Sequence, residues 1–243
     1  MKNHLTLALV TISLTAGYAQ ESKPQKEKII LIGLSYAPTS QTVFYNSYLN
    51  GNYQNQSYNS YASTKGTFKV GIPLLYKIQE RLSIETGAYY SKRALETIPT
   101  EIIDDILGFI GNEKNNYKAT YIEIPIGINY FFINKKISLF GALGVNNNVL
   151  LSQKNTSTQE LYSGNTTIVD VPVNGKSNSY AASIYGGFGL DFNIKKIKIR
   201  LEPIYNRFIT PYNIKSFGVN NNVYKTKSYY VNYNLNLSVF YTL

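Results

Sequence analysis

The sequence lacks the side chains that most often carry redox, metal and acid–base chemistry. It has no cysteine and no tryptophan, and its one histidine is His4. Without cysteine there are no disulfides, no thiolate metal sites and no lipidated N-terminal cysteine. Imidazole is the base that titrates most readily near neutral pH, and we expect His4 to leave with a signal peptide. We therefore predict that the protein is not an enzyme and uses no cofactor or metal; a carboxylate base such as Glu123 is the alternative.

Long apolar runs are also missing beyond the N-terminus, so no membrane-spanning helix of about 20 apolar residues is predicted. The N-terminus itself has the pattern of an export signal. Lys2 supplies a positive charge, Leu5–Ala16 is an apolar core, and Gly17 and Ala19 are small residues before a cleavage site. We predict a signal peptide over residues 1–19 and a polar lead-in over 20–28. An uncleaved anchor is disfavoured because the apolar run is too short.

Charge and aromatic content narrow the choice of partner. The formal net charge is +10, and there are 23 tyrosines. The basic residues are scattered over turns and loops, so we expect no nucleic-acid partner. Lipid phosphates at the outer surface, or simply solvent, would face them. Tyrosine suits a membrane interface, where its ring meets lipid and its hydroxyl meets headgroups, and it also favours strands.

Hydrophobic residues alternate with polar ones with a period of two, which is the pattern of strands with two different faces. In the fourth segment, for example, Ile124, Ile126 and Ile128 alternate with Glu123 and Gly127. Eight such segments are predicted: Ile29–Ala37, Thr67–Ile78, Leu82–Leu95, Ala119–Phe132, Ile137–Leu150, Tyr180–Ile194, Ile197–Phe208 and Tyr229–Leu243.

The connections between these segments alternate between long and short. The short ones are Gln79–Arg81, Ile133–Lys136 and Lys195–Lys196, and the first long one is Pro38–Gly66. Transmembrane barrels have short periplasmic turns and long outer loops in this order. We therefore predict an all-β, eight-stranded antiparallel up-and-down barrel over residues 29–243 in a gram-negative outer membrane, with both termini in the periplasm.

The polar face distinguishes this barrel from a soluble one, whose apolar face would point inward. Here one face is nearly pure Ile, Leu, Val, Phe and Tyr, which suits lipid. The other carries glycines and charges of both signs, and eight strands leave an interior just wide enough for side chains. The charges that we expect to form a lumen network are these: Lys69, Glu85, Arg93, Glu123, Asp191, Arg200 and Glu202.

Their distance from the short turns predicts how these charges group. Glu85, Asp191 and Arg200 form an expected lower cluster, and Lys69 and Glu123 belong to an upper one. Because buried opposite charges must pair or be costly, we predict a filled lumen. A conduction path lined by the same residues is the alternative. A carboxylate metal site is less favoured, since no acidic run has calcium-loop spacing.

The long connections are polar and are predicted to lie outside the cell. Gln41–Ser63 is rich in Asn, Tyr, Ser and Gln, which suits either recognition or a solvated surface. The second of the long connections contains Thr100–Gly111, whose isoleucines have helical spacing. We predict a short amphipathic helix there. In the third, Thr166–Val173 is predicted to pair with Thr156–Tyr162 above the membrane.

The motifs of the chain resemble those of the outer-membrane β-barrel domain family that includes PorT-like proteins. The segments that carry the resemblance are these: Leu82–Arg93 (LSIETGAYYSKR), Tyr121–Ile126 (YIEIPI), Ala142–Val145 (ALGV), Tyr185–Leu190 (YGGFGL) and Leu201–Tyr205 (LEPIY). The resemblance implies a small barrel, and for PorT itself a part in protein secretion. Barrels of this kind typically end in an aromatic residue, whereas this chain ends in Thr242 and Leu243, with Phe240 and Tyr241 just upstream.

Taken together, these features predict a structural or interaction barrel whose function lies in its outer loops. Outer-membrane lipid and lipopolysaccharide are the expected partners, together with other envelope proteins that contact the loops. An accessory subunit of a secretion or surface-assembly machine and a narrow channel are the alternatives.

Overall fold

The computed structural model describes residues 29–49, 52–59, 66–96, 100–104, 108–161, 164–170, 176–211, 213–219 and 222–243. The predicted signal peptide and lead-in lie outside these residues. The strands in chain order are the following: β1 (Ile29–Leu49), β2 (Asn52–Asn59), β3 (Phe68–Gln79), β4 (Leu82–Glu96), β5 (Thr100–Asp104), β6 (Gly108–Ile133), β7 (Ile137–Leu161), β8 (Thr166–Asp170), β9 (Lys176–Ser177), β10 (Tyr180–Ile194), β11 (Ile197–Phe208), β12 (Asn213–Val219) and β13 (Asn222–Thr242). Among the described residues, no helix is long and apolar enough to cross a bilayer.

Eight of these strands form a closed antiparallel ring. Its order is β1, β3, β4, β6, β7, β10, β11 and β13, and β13 pairs back with β1 from Leu31↔Thr242 upward. Each of the eight predicted segments falls on one ring strand, and the predicted fold class is confirmed. The bounds of β10 and β11 agree with the prediction, whereas β1, β6, β7 and β13 are much longer than predicted.

The two faces of the ring have opposite character. On β6, Ile124, Ile126 and Ile128 are exposed on the outside, while Glu123 and Asn129 are buried inside. Successive side chains of a strand point to opposite faces, so every ring strand repeats this division. The polar interior and apolar exterior are the arrangement expected of a barrel in lipid.

Outward aromatic rings lie at two levels, as in the girdles of membrane barrels. Tyr36 on β1 stacks on Phe68 at the start of β3, with ring centroids 6.3 Å apart, and Tyr130 and Phe132, which both lie on β6, meet edge to face at 5.5 Å. Exposed rings of the level farther from the short turns are these: Tyr36, Tyr90, Tyr180, Tyr205 and Tyr233. Exposed rings nearer the turns are these: Tyr130, Phe132, Phe192 and Tyr241.

The two ends of the ring differ. At the short-turn end, β3–β4, β6–β7 and β10–β11 are joined by the predicted short connections. At the other end, the long-strand end, two sheets continue past the ring. The first wall consists of β2, β1, β13, β12 and β9, and the second wall consists of β5, β6, β7 and β8.

The predicted helix over Thr100–Gly111 is wrong. Thr100–Asp104 is β5, and it pairs with the start of β6 from Thr100↔Glu113 to Asp104↔Gly108. The β-branched isoleucines favour a strand, and the extended edge of β6 offers hydrogen-bond partners that helical spacing cannot reveal. Gly111 does not end a helix. A Cβ there would collide with the backbone of Glu160 on β7.

The first and third long connections are also built from strands. Of Gln41–Ser63, predicted as a loop, Gln41–Leu49 continues β1 and Asn52–Asn59 is β2. Residues 50–51 and 60–63 lie outside the described part. The predicted pairing in the third connection is confirmed for β8, which runs from Thr156↔Asp170 to Glu160↔Thr166 along β7.

Candidate functional site in the barrel lumen

All seven charged residues expected in the lumen are buried there. The alternation of the strands brings them inside: Lys69 comes from β3, Glu85 and Arg93 from β4, and Glu123 from β6, while β10 and β11 supply the others. Charges that are far apart in sequence therefore meet in a narrow interior, where the low dielectric strengthens both their attraction and their desolvation cost.

Arg200 is the centre of the group nearer the short turns. Its Nε and Nη2 donate to the two carboxylate oxygens of Asp191 at 2.7 and 3.0 Å, and its Nη1 donates to Glu85 Oε2 at 2.8 Å. β4 and β11 lie on opposite sides of the ring, so this side chain crosses the lumen. Asn129 Nδ2 also donates to Glu85 Oε2, at 2.9 Å.

A second group lies nearer the long-strand end. Arg93 Nη2 is 2.5 Å from Glu123 Oε1 and donates to Asn148 Oδ1 at 3.1 Å. Lys69 Nζ lies 4.0 Å from the other oxygen of Glu123. The geometry therefore makes Arg93 the main partner of Glu123, whereas the expected pair was Lys69 with Glu123.

Glu202 stands apart from both groups. Asn236 Nδ2 donates to its Oε2 at 3.2 Å, and among the described residues no cation lies within ion-pair distance of it. Lys198, which was not expected in the network, contacts Asp191 with 2.8 Å between Nζ and Oδ2. Lys198 shares the parity of Arg200 and Glu202 along β11, a signal that the sequence already contained.

With Lys198 included, the charges named above are four cations and four anions. The cations are Lys69, Arg93, Lys198 and Arg200. The anions are Glu85, Glu123, Asp191 and Glu202. Lys77 adds a half-buried cation at the short-turn end, where it pairs with the inward Ser83. Contacts between opposite charges lower the cost of burying them in a narrow space.

Inward aromatic rings are the other feature that the sequence analysis missed. The guanidinium of Arg200 lies 4.0 Å from the ring centroid of Phe140, and that of Arg93 lies 4.5 Å from Tyr121 and 4.6 Å from Phe208. Such cation–π contacts are strongest when the cation is desolvated. Phe208 has the parity of Arg200 along β11, and this parity is the signal in the sequence that places its ring inside.

Inward glycines make room for these rings. Gly127 on β6 and Gly144 on β7 are direct register partners, and a Cβ at either position would collide with the phenol of Tyr185. Tyr185 therefore lies against the paired glycines on the inner face of the ring.

The described side chains of the lumen form ion pairs and packed rings. Arg200 and Arg93 both reach across the interior, and Tyr185 lies in the same space. In the described part of the chain, no group of three or more His, Cys, Asp or Glu side chains could hold a metal ion.

Comparison with known proteins gives a family and a set of similar folds. The family model described as "outer membrane protein beta-barrel domain" matches residues 18–208, and no curated protein matches the chain. The chain is similar to Neisserial surface protein A, at 12% identity over 87% of this chain and 96% of that one, with a TM-score of 0.41. OprG from Pseudomonas aeruginosa is 12% identical over 88% of this chain and 95% of that one, with a TM-score of 0.41. The protease OmpT from Escherichia coli is 12% identical over 92% of this chain and 99% of that one, with a TM-score of 0.47.

Proposed function

This chain belongs to the outer membrane protein beta-barrel domain family, and we propose that it is an interaction barrel with a filled lumen and no enzymatic activity. In this proposal the ring anchors the protein in the outer membrane. The two walls at the long-strand end bind other components of the envelope.

The length of the strands carries the proposal. β6 has 26 residues and β7 has 25, whereas a tilted strand crosses a membrane with about 9–11. The outward residues of β6 are apolar from Phe132 to Ile122 and then become Thr120 and Lys118. β6 and β7 stay paired beyond this point as far as Gly111↔Leu161. A barrel that only anchored itself would not need this ordered extension.

The ends of the ring support an orientation. β1 begins and β13 ends at the short-turn end, where Leu31 pairs with Thr242. A chain that reaches the outer membrane from the periplasm after loss of the proposed signal peptide would leave this end in the periplasm. The two walls would then face the outside of the cell.

Lipopolysaccharide is the proposed lipid partner at the outer leaflet. Lys92, Lys118 and Lys154 lie on the outside of adjacent strands just beyond the apolar band, and Lys118 faces Lys154 across the β6–β7 pair. Lysines at this depth meet lipid phosphates. Binding of lipid A to Lys118→Gln/Lys154→Gln should be weaker than to the parent protein, whereas dephosphorylated lipid A should not distinguish the two.

The walls can be tested by shortening them. In the first-wall variant, an Asn-Gly turn replaces residues 45–57, which joins the register partners Phe44 and Tyr58. The ring below is kept, so heat-modifiable migration should persist. Capture of envelope proteins by affinity purification from outer membranes should fall relative to the parent chain. In the second-wall variant, an Asn-Gly turn joins the register partners Thr158 and Ile168. Capture by this variant is compared with capture by the first-wall variant. Unchanged capture by both variants would contradict the proposal.

Two other functions have specific support. A secretion accessory of the PorT-like kind rests on the sequence motifs, and stable co-purification of secretion components would favour it. A narrow channel is suggested by buried amide oxygens of Asn206, Asn232 and Asn236 that have no hydrogen-bond donor among the described residues, since such groups usually bind water. Planar-bilayer recording distinguishes the channel from the filled-lumen proposal. A channel should give a steady conductance, whereas a filled lumen should give none.

A further inference from the structure

The outside of the ring has a groove between β7 and β10 above the short turns. Gly141 pairs with Phe188, and Gly186 pairs with Leu143, so two outward glycines lie diagonally across one strand pair. The groove between them has a volume of about 550 Å³. It is lined mainly by Ile128, Tyr130, Leu143, Phe188 and Tyr205.

Packing does not require these two glycines. A Cβ at Gly186 would meet no atom closer than 3.7 Å, and a Cβ at Gly141 would meet the Phe132 ring at 3.4 Å. The inward Gly187 is different, because a Cβ there would collide with the carbonyl oxygen of Pro203. Glycine weakens a strand interior and often marks the close approach of a ligand. The groove is thus open where larger residues would fit.

The same strands end in two adjacent basic turns. The backbone N–H of Asn193 donates to Lys136 O at 2.8 Å, and its side-chain Nδ2 donates to Lys135 O at 2.8 Å. This ties the β6–β7 turn to the β10–β11 turn, so Lys135 and Lys136 lie beside Lys195 and Lys196. All four are exposed, and none of them forms an ion pair among the described residues.

Lys195, in the β10–β11 turn, has a backbone conformation that is unfavourable for lysine. Lys195 has a φ of 51°, in the left-handed region that two-residue hairpin turns usually fill with Asn or Gly. A lysine is present at this position although the backbone favours a smaller residue, which is consistent with a role for its charge.

We propose that this face binds an anionic phospholipid, with its phosphate on the four turn lysines and an acyl chain in the glycine groove. Gly141 is roughly 13 Å along β7 from the turn, which lies within the depth of about 15 Å of one leaflet. Four neighbouring ammonium groups attract a lipid with net negative charge and repel the amine of a zwitterionic one. This proposal concerns a surface away from the two walls, and it does not depend on which partner the walls bind.

The absence of tryptophan allows a direct test. Tyr130→Trp places a single fluorophore on the groove at the level near the short turns, and Tyr76→Trp places one on β3, away from the groove. Each protein is reconstituted into phosphatidylcholine vesicles that contain phosphatidylglycerol, with dibrominated acyl chains on one lipid or the other. Both leaflets have the same composition, so the orientation of the barrel does not affect the result.

Quenching at Tyr130→Trp should show a preference for phosphatidylglycerol of at least about fivefold, the effect of one lysine at an anionic surface. The preference should disappear in Lys135→Gln/Lys136→Gln/Lys195→Gln/Lys196→Gln, and Tyr76→Trp should show no comparable preference. Gly186→Leu should reduce quenching at the groove by both lipids. Equal preference at both reporters, a preference that survives the four changes, or quenching unaffected by Gly186→Leu would overturn the proposal.

Discussion

Arg200 and Asp191 face each other on β11 and β10 and share two hydrogen bonds, of 2.7 and 3.0 Å. This two-point geometry is the strongest form of arginine–carboxylate contact. Because Arg200 also reaches Glu85 across the ring, it ties opposite sides of the barrel together.

Removing Arg200 should therefore destabilise the barrel strongly. Arg200→Met leaves Asp191 and Glu85 buried without their arginine, and breaking a buried pair costs about 3–5 kcal/mol. Arg200→Met/Asp191→Leu should be less destabilised than Arg200→Met alone, since one buried charge has gone. The measurement is urea unfolding in lipid vesicles, with Lys118→Met as the control at an exposed position. A double variant less stable than the single one would contradict the pairing.

Arg93 and Lys69 should differ in the energy with which they couple to Glu123. Arg93 is 2.5 Å from Glu123 and Lys69 is 4.0 Å from it, so the coupling energy of Arg93 with Glu123 should exceed that of Lys69. Two double-mutant cycles measure this, with Arg93→Met or Lys69→Met, each combined with Glu123→Leu. A larger coupling for Lys69, or none for either, would show that the contacts differ from those described.

The lipid-facing side is tested at Ile126. This residue is exposed on β6 in the middle of the apolar band. Ile126→Arg should lose about 2–4 kcal/mol of the free energy of unfolding in vesicles, whereas Ile126→Leu should lose little. Unchanged folding of the arginine variant would mean that Ile126 does not face lipid.

The paired glycines give a steric prediction. A Cβ at Gly127 collides with Tyr185, whereas one at Gly186 meets nothing closer than 3.7 Å. Gly127→Ala should therefore destabilise the barrel by about 1–3 kcal/mol, as overpacking does, and Gly186→Ala should not. Tyr185→Leu should recover part of the loss in Gly127→Ala. Equal effects of the two alanine variants in vesicle unfolding would contradict the position of the phenol.

The proposed orientation predicts where trypsin cuts. On intact cells it should cleave after Lys65, between β2 and β3, and spare Lys195 and Lys196. The turn lysines should be cut only after the outer membrane is permeabilised. N-terminal sequencing of the fragments identifies the sites, and cleavage at the turn in intact cells would invert the topology.

The sequence by itself determined the ring strands, their faces and the short turns. Period-two alternation is a local property, so it places Ile126 outside and Glu123 inside whatever the partner strand is. The same parity put Arg200 and Glu85 in one interior. It could not show that Arg200 reaches Glu85, because that contact joins opposite sides of the ring.

Only the tertiary structure decided the register, the partners and the ends of the strands. The register brings Arg93 rather than Lys69 close to Glu123 and sets Phe140 against Arg200. Thr100–Asp104 is a strand because its hydrogen bonds to β6 outweigh the helical spacing of its isoleucines. Strand pairing is made between distant parts of the chain, and a local pattern carries no information about which distant edge is available.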